Sequence, residues 1–159
     1  MKILTGRLVE LAKSLSRASN TLPLEMDAGV KIALVMEPLR LAVQEREKRR
    51  QQNLLKYGEL NEDGSLKVDK DNSTVFPVGG QRRFEAAMML IDEEMVEFPC
   101  DPLPLTIFTH RASGKKYKDK DGEPITLLPA IISGLMPVLD LTSKKKSKKK
   151  KEESGGDPK

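Results

Sequence analysis

The sequence predicts an α+β fold: a long antiparallel helical hairpin with a β-hairpin tip, followed by a short-stranded C-terminal subdomain. Three observations predict it. Between Pro23 and Gly58 apolar residues recur at helical spacing. From Gly58 to Gly80 that period gives way to turn dipeptides and alternation. From Pro99 onward prolines divide the chain into short pieces. Residues 1–141 read as a single domain and 142–159 as a disordered lysine-rich tail, because KKKSKKKKEESGGDPK is self-repelling and has no apolar residue to bury.

Thr5 to Ser19 forms the first expected helix, with Leu4, Leu8, Leu11 and Leu15 on one face and Arg7, Glu10, Lys13 and Arg17 outside. Asn20 suits its C-terminus, and the short connection turns the chain back antiparallel. The second helix is placed from Pro23, which suits a first helical position, to Gly58, which suits a left-handed stop. Ile32, Val35, Met36, Leu39, Ala42 and Val43 make its buried stripe, while Val30, Leu34 and Leu41 fall outside that stripe. A kink is expected near Pro38, which removes one backbone hydrogen bond. Gln44 to Gln52 has no apolar residue and reads as an arm leaving the core, supported by Glu–Arg and Glu–Lys pairs at roughly 0.2–0.5 kcal/mol each.

Asp63-Gly64 and Asp71-Asn72 are turn signals, and Ser65–Asp69 alternates as a strand that Thr74–Phe76 can partner. The return helix is expected from Gln81 to about Met95, with Phe84, Ala87, Met88, Ile91 and Met95 in phase and Glu93, Glu94 and Glu97 at its acidic end. Leu105–Thr109 alternates as a strand, and Lys115–Lys120 is a second extended piece turning at Asp121-Gly122. Pro124 to Leu141 is apolar but cut by Pro129, Gly134 and Pro137, so short helical pieces capping the core are expected.

Composition excludes more chemistry than it suggests. The 159 residues are 38% hydrophobic and 33% charged, without Trp, and contain one Cys and one His. A disulfide framework and a cysteine metal cluster are excluded. No apolar run approaches the roughly 18 residues of a membrane span, and no signal-peptide pattern opens the chain, so a cytoplasmic location is expected. The formal net charge of +4 belongs to the tail: residues 144–159 hold eight Lys against three acids, leaving residues 1–143 near −1. Nonspecific nucleic-acid contact is therefore assigned to Lys144–Lys151 alone, through counterion release without aromatic stacking.

Motif tests give no catalytic, cofactor or metal residues. Ser113-Gly114-Lys115 lacks both the upstream glycine, replaced by Thr109, and the Ser/Thr of a phosphate cradle. A calcium loop starting at Asp69 puts Thr74 where its glycine belongs. Cys100 and His110 lie near a proline-rich turn without an orienting acid. The chain is expected to be non-enzymatic.

The segment EPLRLAVQEREKRRQQNLLKYGELNEDGSLKVD, with the later FEAAMMLIDEEMVEF, resembles a loosely defined group of phage and prophage proteins of unknown function. In that group a long helix ends in a KYGE-like stop, and a polar hairpin leads to a returning helix with an acidic end. The resemblance covers roughly residues 30–108 and implies a viral or prophage gene and a helical hairpin somewhat like a shortened prefoldin subunit. A phage-encoded accessory protein working by protein binding in the host cytoplasm is expected from it, an inhibitor of a host system being the narrower form. A nucleic-acid-associated protein and a virion-assembly or chaperone-like factor are the alternatives. The partner-binding residues are expected on the arm: Arg46, Arg49, Arg50, Lys56 and Tyr57, facing an acidic protein, because the guanidinium fork grips carboxylates bidentately. Self-association through Val30, Leu34 and Leu41 is also expected.

Overall fold

The computed structural model describes residues 1–111 and 113–140; the tail, with the disorder and nucleic-acid contact expected of it, lies outside the described residues. The class is α+β. In chain order run β1 (Lys2–Leu4), α1 (Leu8–Thr21), α2 (Met26–Tyr57), α3 (Gly80–Asp92), β2 (Met95–Glu97), β3 (Leu103–Pro104), α4 (Pro129–Leu135) and β4 (Leu139–Asp140). Among the described residues no helix is long and apolar enough to cross a membrane. Contacts group the chain into two compact units, the division falling inside α1 after Ala12 and inside α2 after Val35.

The first unit comprises Lys2–Ala12 and Met36–Phe98. β1 pairs antiparallel with β2 in the register Lys2↔Glu97, Ile3↔Val96 and Leu4↔Met95. That pairing corrects two sequence expectations. Leu4 does not join the helix face but lies in a strand, 43% exposed, and the helix begins at Leu8 after a 3-10 turn over Thr5–Arg7. Met95 leaves the return helix, which stops at Asp92. Thr5 fixes the junction: its N–H and its hydroxyl both donate to the Glu94 carbonyl, at 2.8 and 3.0 Å. α2 starts at Met26 rather than Pro23 and runs unbroken through Pro38 to Tyr57.

Gly58 ends α2 for a different reason from the expected one. It is not among the positive-φ residues. A Cβ there would stand 2.8 Å from the Leu54 carbonyl oxygen and 2.9 Å from Leu66 Cδ2, so close approach, not a left-handed turn, demands glycine.

The second unit comprises Met1, Lys13–Val35 and the chain from Pro99. β3 and β4 form a short parallel pair, Leu103↔Leu139 and Pro104↔Asp140. Leu105–Phe108, expected as a strand, is a 3-10 helix. Its neighbours Ile107 and Phe108 are both buried, at 7% and 1% exposure, which an alternating strand with one solvated face does not allow. Leu135 and Val138 are fully buried, whereas Leu128 is 67% exposed and does not cap the core as expected.

The backbone also contains an internal repeat at an offset of 50 residues, one copy in each unit. In the first copy Leu60 bridges Leu66 and Val68 bridges Thr74; in the second His110 bridges Lys116 and Lys118 bridges Pro124. Hydrogen bonds recur at the same offset: Asn61 N–H to Ser65 O with Arg111 N–H to Lys115 O, and Val75 N–H to Lys67 O with Ile125 N–H to Tyr117 O. The Asp69 carboxylate accepts from the Asp71 and Ser73 amides, as that of Asp119 does from Asp121 and Glu123. Each copy is a meander of two tight turns. Both turns need a positive φ, supplied by Gly64 and Asn72 in one copy and by Gly114 and Gly122 in the other.

Candidate functional site

The basic row expected on the arm is largely engaged within the chain. Arg46 lies on α2 and grips Asp92 at the end of α3 bidentately, Nε to Oδ1 at 2.8 Å and Nη2 to Oδ2 at 3.1 Å. Its side chain is 18% exposed and that of Asp92 35%. One turn on, Arg49 grips Glu94 through both terminal nitrogens, one of them at 2.7 Å. That hydrogen-bonded guanidinium holds the Glu94 carboxyl below its ordinary range. The unfavourable placing of an acid at the end of α3 is thereby offset. Arg50 turns to Glu47 on its own helix at 2.9 Å, and the Lys56 ammonium stands 5.1 Å from the centre of the Tyr57 ring. Two of the five expected residues are thus committed to intrachain carboxylates, and Arg50, Lys56 and Tyr57 retain less specific contacts.

The other motifs resolve into turn chemistry. Ser113-Gly114-Lys115 is the first turn of the second meander, with the Gly114 N–H donating to Arg111 O at 2.9 Å. Asp63 accepts from the Ser65 hydroxyl and amide, which lower its pKa. Among the described residues no group of three or more His, Cys, Asp and Glu side chains gathers as metal ligands would. Burial pushes the Cys100 thiol upward, away from a reactive thiolate. The Nδ1 of His110 lies 2.8 Å from its neighbour Thr109 Oγ1.

Two further features stand out, the first assigned in part from the sequence through Val30 and Leu34 and the second not at all. The first is an apolar stripe on α2: Met26, Val30 and Leu34 are 84%, 53% and 64% exposed. At 100° per residue the three positions fall within about 80° of one another. Val30 and Leu34 were separable from the buried stripe by period alone, and Leu41, in the first unit, is likewise exposed. The second is a cavity of about 520 Å³ beside the second meander, whose wall includes Leu105, Phe108, Ile125, Leu127 and Leu135. His110, Lys116 and Thr126 also line it. These residues are scattered over 31 positions from Leu105 to Leu135 at no single period, so no sequence signal gathers them. Set against known families, curated proteins and solved structures, the chain matches none.

Proposed function

We propose that the chain is a non-enzymatic accessory protein that acts by binding another protein, and that Met26, Val30 and Leu34 form the contact. The observation carrying this reading is the exposure of those three large side chains on one face of α2. Fully burying such a side chain is worth about 1.5–3 kcal/mol, so covering the half or more now exposed is a substantial gain for a partner. The resemblance adds a phage origin and action in the host cytoplasm, with inhibition of a host system as the narrower form. The contacts of Arg46 and Asn53 with Asp92 and Met88 favour reading α2 and α3 as an antiparallel helical hairpin whose connection is the first meander. Arg50, Lys56 and Tyr57 serve as a secondary contact for acidic groups on the partner.

The test is capture from host lysate by the immobilised chain, nuclease-treated and untreated, at low and high salt. The wild type is expected to recover a protein in a nuclease-insensitive way, and Val30→Glu/Leu34→Glu to lose it at both salts. Arg50→Glu/Lys56→Glu should weaken recovery at low salt only. Equal recovery by the stripe variant, folded by circular dichroism, overturns the reading. Recovery that disappears with nuclease and falls steeply with salt favours the nucleic-acid alternative instead.

A further inference from the structure

The two meanders differ where each faces the helix that follows it. In the first copy Phe76 and Phe84 pack ring to ring, centroids 5.5 Å apart and tilted by 37°. At the same offset Phe76 corresponds to Thr126; beyond that point the spacing changes, since α3 begins at Gly80 and α4 at Pro129. A phenyl group of the first copy is thus replaced by a hydroxyethyl group in the second. Thr126 lines the 520 Å³ cavity, so the space lies beside the position where the first copy carries Phe76. Empty apolar volume forfeits contacts and costs stability, so a copy that keeps it stands to gain from an occupant.

A second exchange runs in the same direction. The bridge residues of the first turn are Leu60 and Leu66 in the first copy and His110 and Lys116 in the second. Two apolar groups have become two basic ones, and both line the cavity. Among the described residues no carboxylate forms an ion pair with Lys116. The Thr109 hydroxyl lies 2.8 Å from Nδ1 of His110 and donates to the Leu105 carbonyl at 3.3 Å, so the charge for an anionic head comes from Lys116, with the His110 ring beside it. Deeper in, the wall is apolar, with Phe108 and Leu135 each 1% exposed. An apolar interior with a few polar groups, in a volume between about 300 and 1,000 Å³, is the usual form of a small-molecule site.

We propose that this cavity binds a small amphipathic anion, with an apolar ring or chain in the space beside Thr126 and a carboxylate or sulfonate head against Lys116 and His110. The site and the α2 stripe both belong to the second unit but share no residue. The probe is 1-anilinonaphthalene-8-sulfonate, titrated into the full chain by fluorescence, followed by displacement with decanoate and with decanol. One saturable site is expected, with decanoate displacing the dye about tenfold more effectively than decanol, a 1.4 kcal/mol preference. Thr126→Phe, which restores the residue of the first copy at an exposed position, should weaken dye binding about tenfold or more. Lys116→Leu, also at an exposed position, should remove the preference for decanoate while the apolar body still binds. Val30→Glu/Leu34→Glu should bind the dye as the wild type does. Loss of dye binding in that stripe variant, unchanged binding in a folded Thr126→Phe, or a wild-type chain that binds neither probe overturns the proposal. If Thr126→Phe does not fold, Lys116→Leu decides alone: an unaltered decanoate preference overturns the proposal and its loss supports it.

Discussion

Removing Arg46 should cost the fold more than removing any other member of its basic row. The guanidinium makes two hydrogen bonds to Asp92 at 2.8 and 3.1 Å, with side chains only 18% and 35% exposed. Asp92 is also held from behind, since a Cβ on Gly6 would come within 3.0 Å of its own Cβ. An exposed ion pair is worth about 0.2–1 kcal/mol, and a bidentate, partly buried one exceeds that range. The Arg46–Asp92 coupling should therefore be about 1–2 kcal/mol, whereas the more exposed Arg49–Glu94 pair should couple more weakly. The assay is a double-mutant cycle of Arg46→Ala and Asp92→Asn, followed by urea unfolding with helical circular dichroism. High salt should reduce the second coupling more than the first. A coupling of Arg46 and Asp92 below about 0.3 kcal/mol would refute the reasoning and return Arg46 to the pool of residues free for a partner.

Other consequences follow from the same contacts. Gly80→Ala would set a Cβ 2.5 Å from the Tyr57 carbonyl oxygen and 2.8 Å from Pro77 Cδ, so it should lower stability by about 1–3 kcal/mol in thermal or urea unfolding. Gly29→Ala, where a Cβ meets nothing within 4 Å, should instead stabilise α2 by about 0.5–1 kcal/mol in the same assays. Glu94 carries a folded-state pKa below its unfolded value. Its contribution is therefore present above the ordinary glutamate pKa of about 4.3 and is lost as pH falls through the lower folded value. Glu94→Gln should flatten the acid limb of a stability–pH profile, and an unchanged limb would show that Arg49 does not hold the carboxylate.

The helical faces were legible because burial follows a period that sequence displays. Leu8, Leu11 and Leu15 on α1, and Ile32, Val35 and Leu39 on α2, are all buried as the spacing predicts. Features set by distant partners were not legible. Leu4 continues the α1 phase, yet its pairing with Met95 across more than ninety residues turns it into a strand. Arg46 and Arg49 read as a free ridge because their acids arrive from the end of α3, 46 and 45 residues away. The 3-10 helix at Leu105–Phe108 looked alternating because Thr106 separates Leu105 from Ile107, but Phe108 is buried beside Ile107. The repeat is faint in the sequence because its copies share little beyond the turn glycines Gly64 and Gly114 and the segments Asp69–Asp71 and Asp119–Asp121. Tight turns constrain backbone angles and caps rather than side-chain identity, so the hydrogen-bond pattern recurs without the sequence. The cavity was not legible because its wall is drawn from residues with no common period between Leu105 and Leu139.

The claim that this chain works by protein binding through the apolar stripe of α2 is tested most directly by amide hydrogen exchange on the chain alone and in complex with the protein it captures. The expected result is slowed exchange over Met26–Val35, with the protection lost in Val30→Glu/Leu34→Glu at partner concentrations that saturate the wild type. Protection confined to other segments, with Met26–Val35 exchanging at the same rate bound and free, would contradict it.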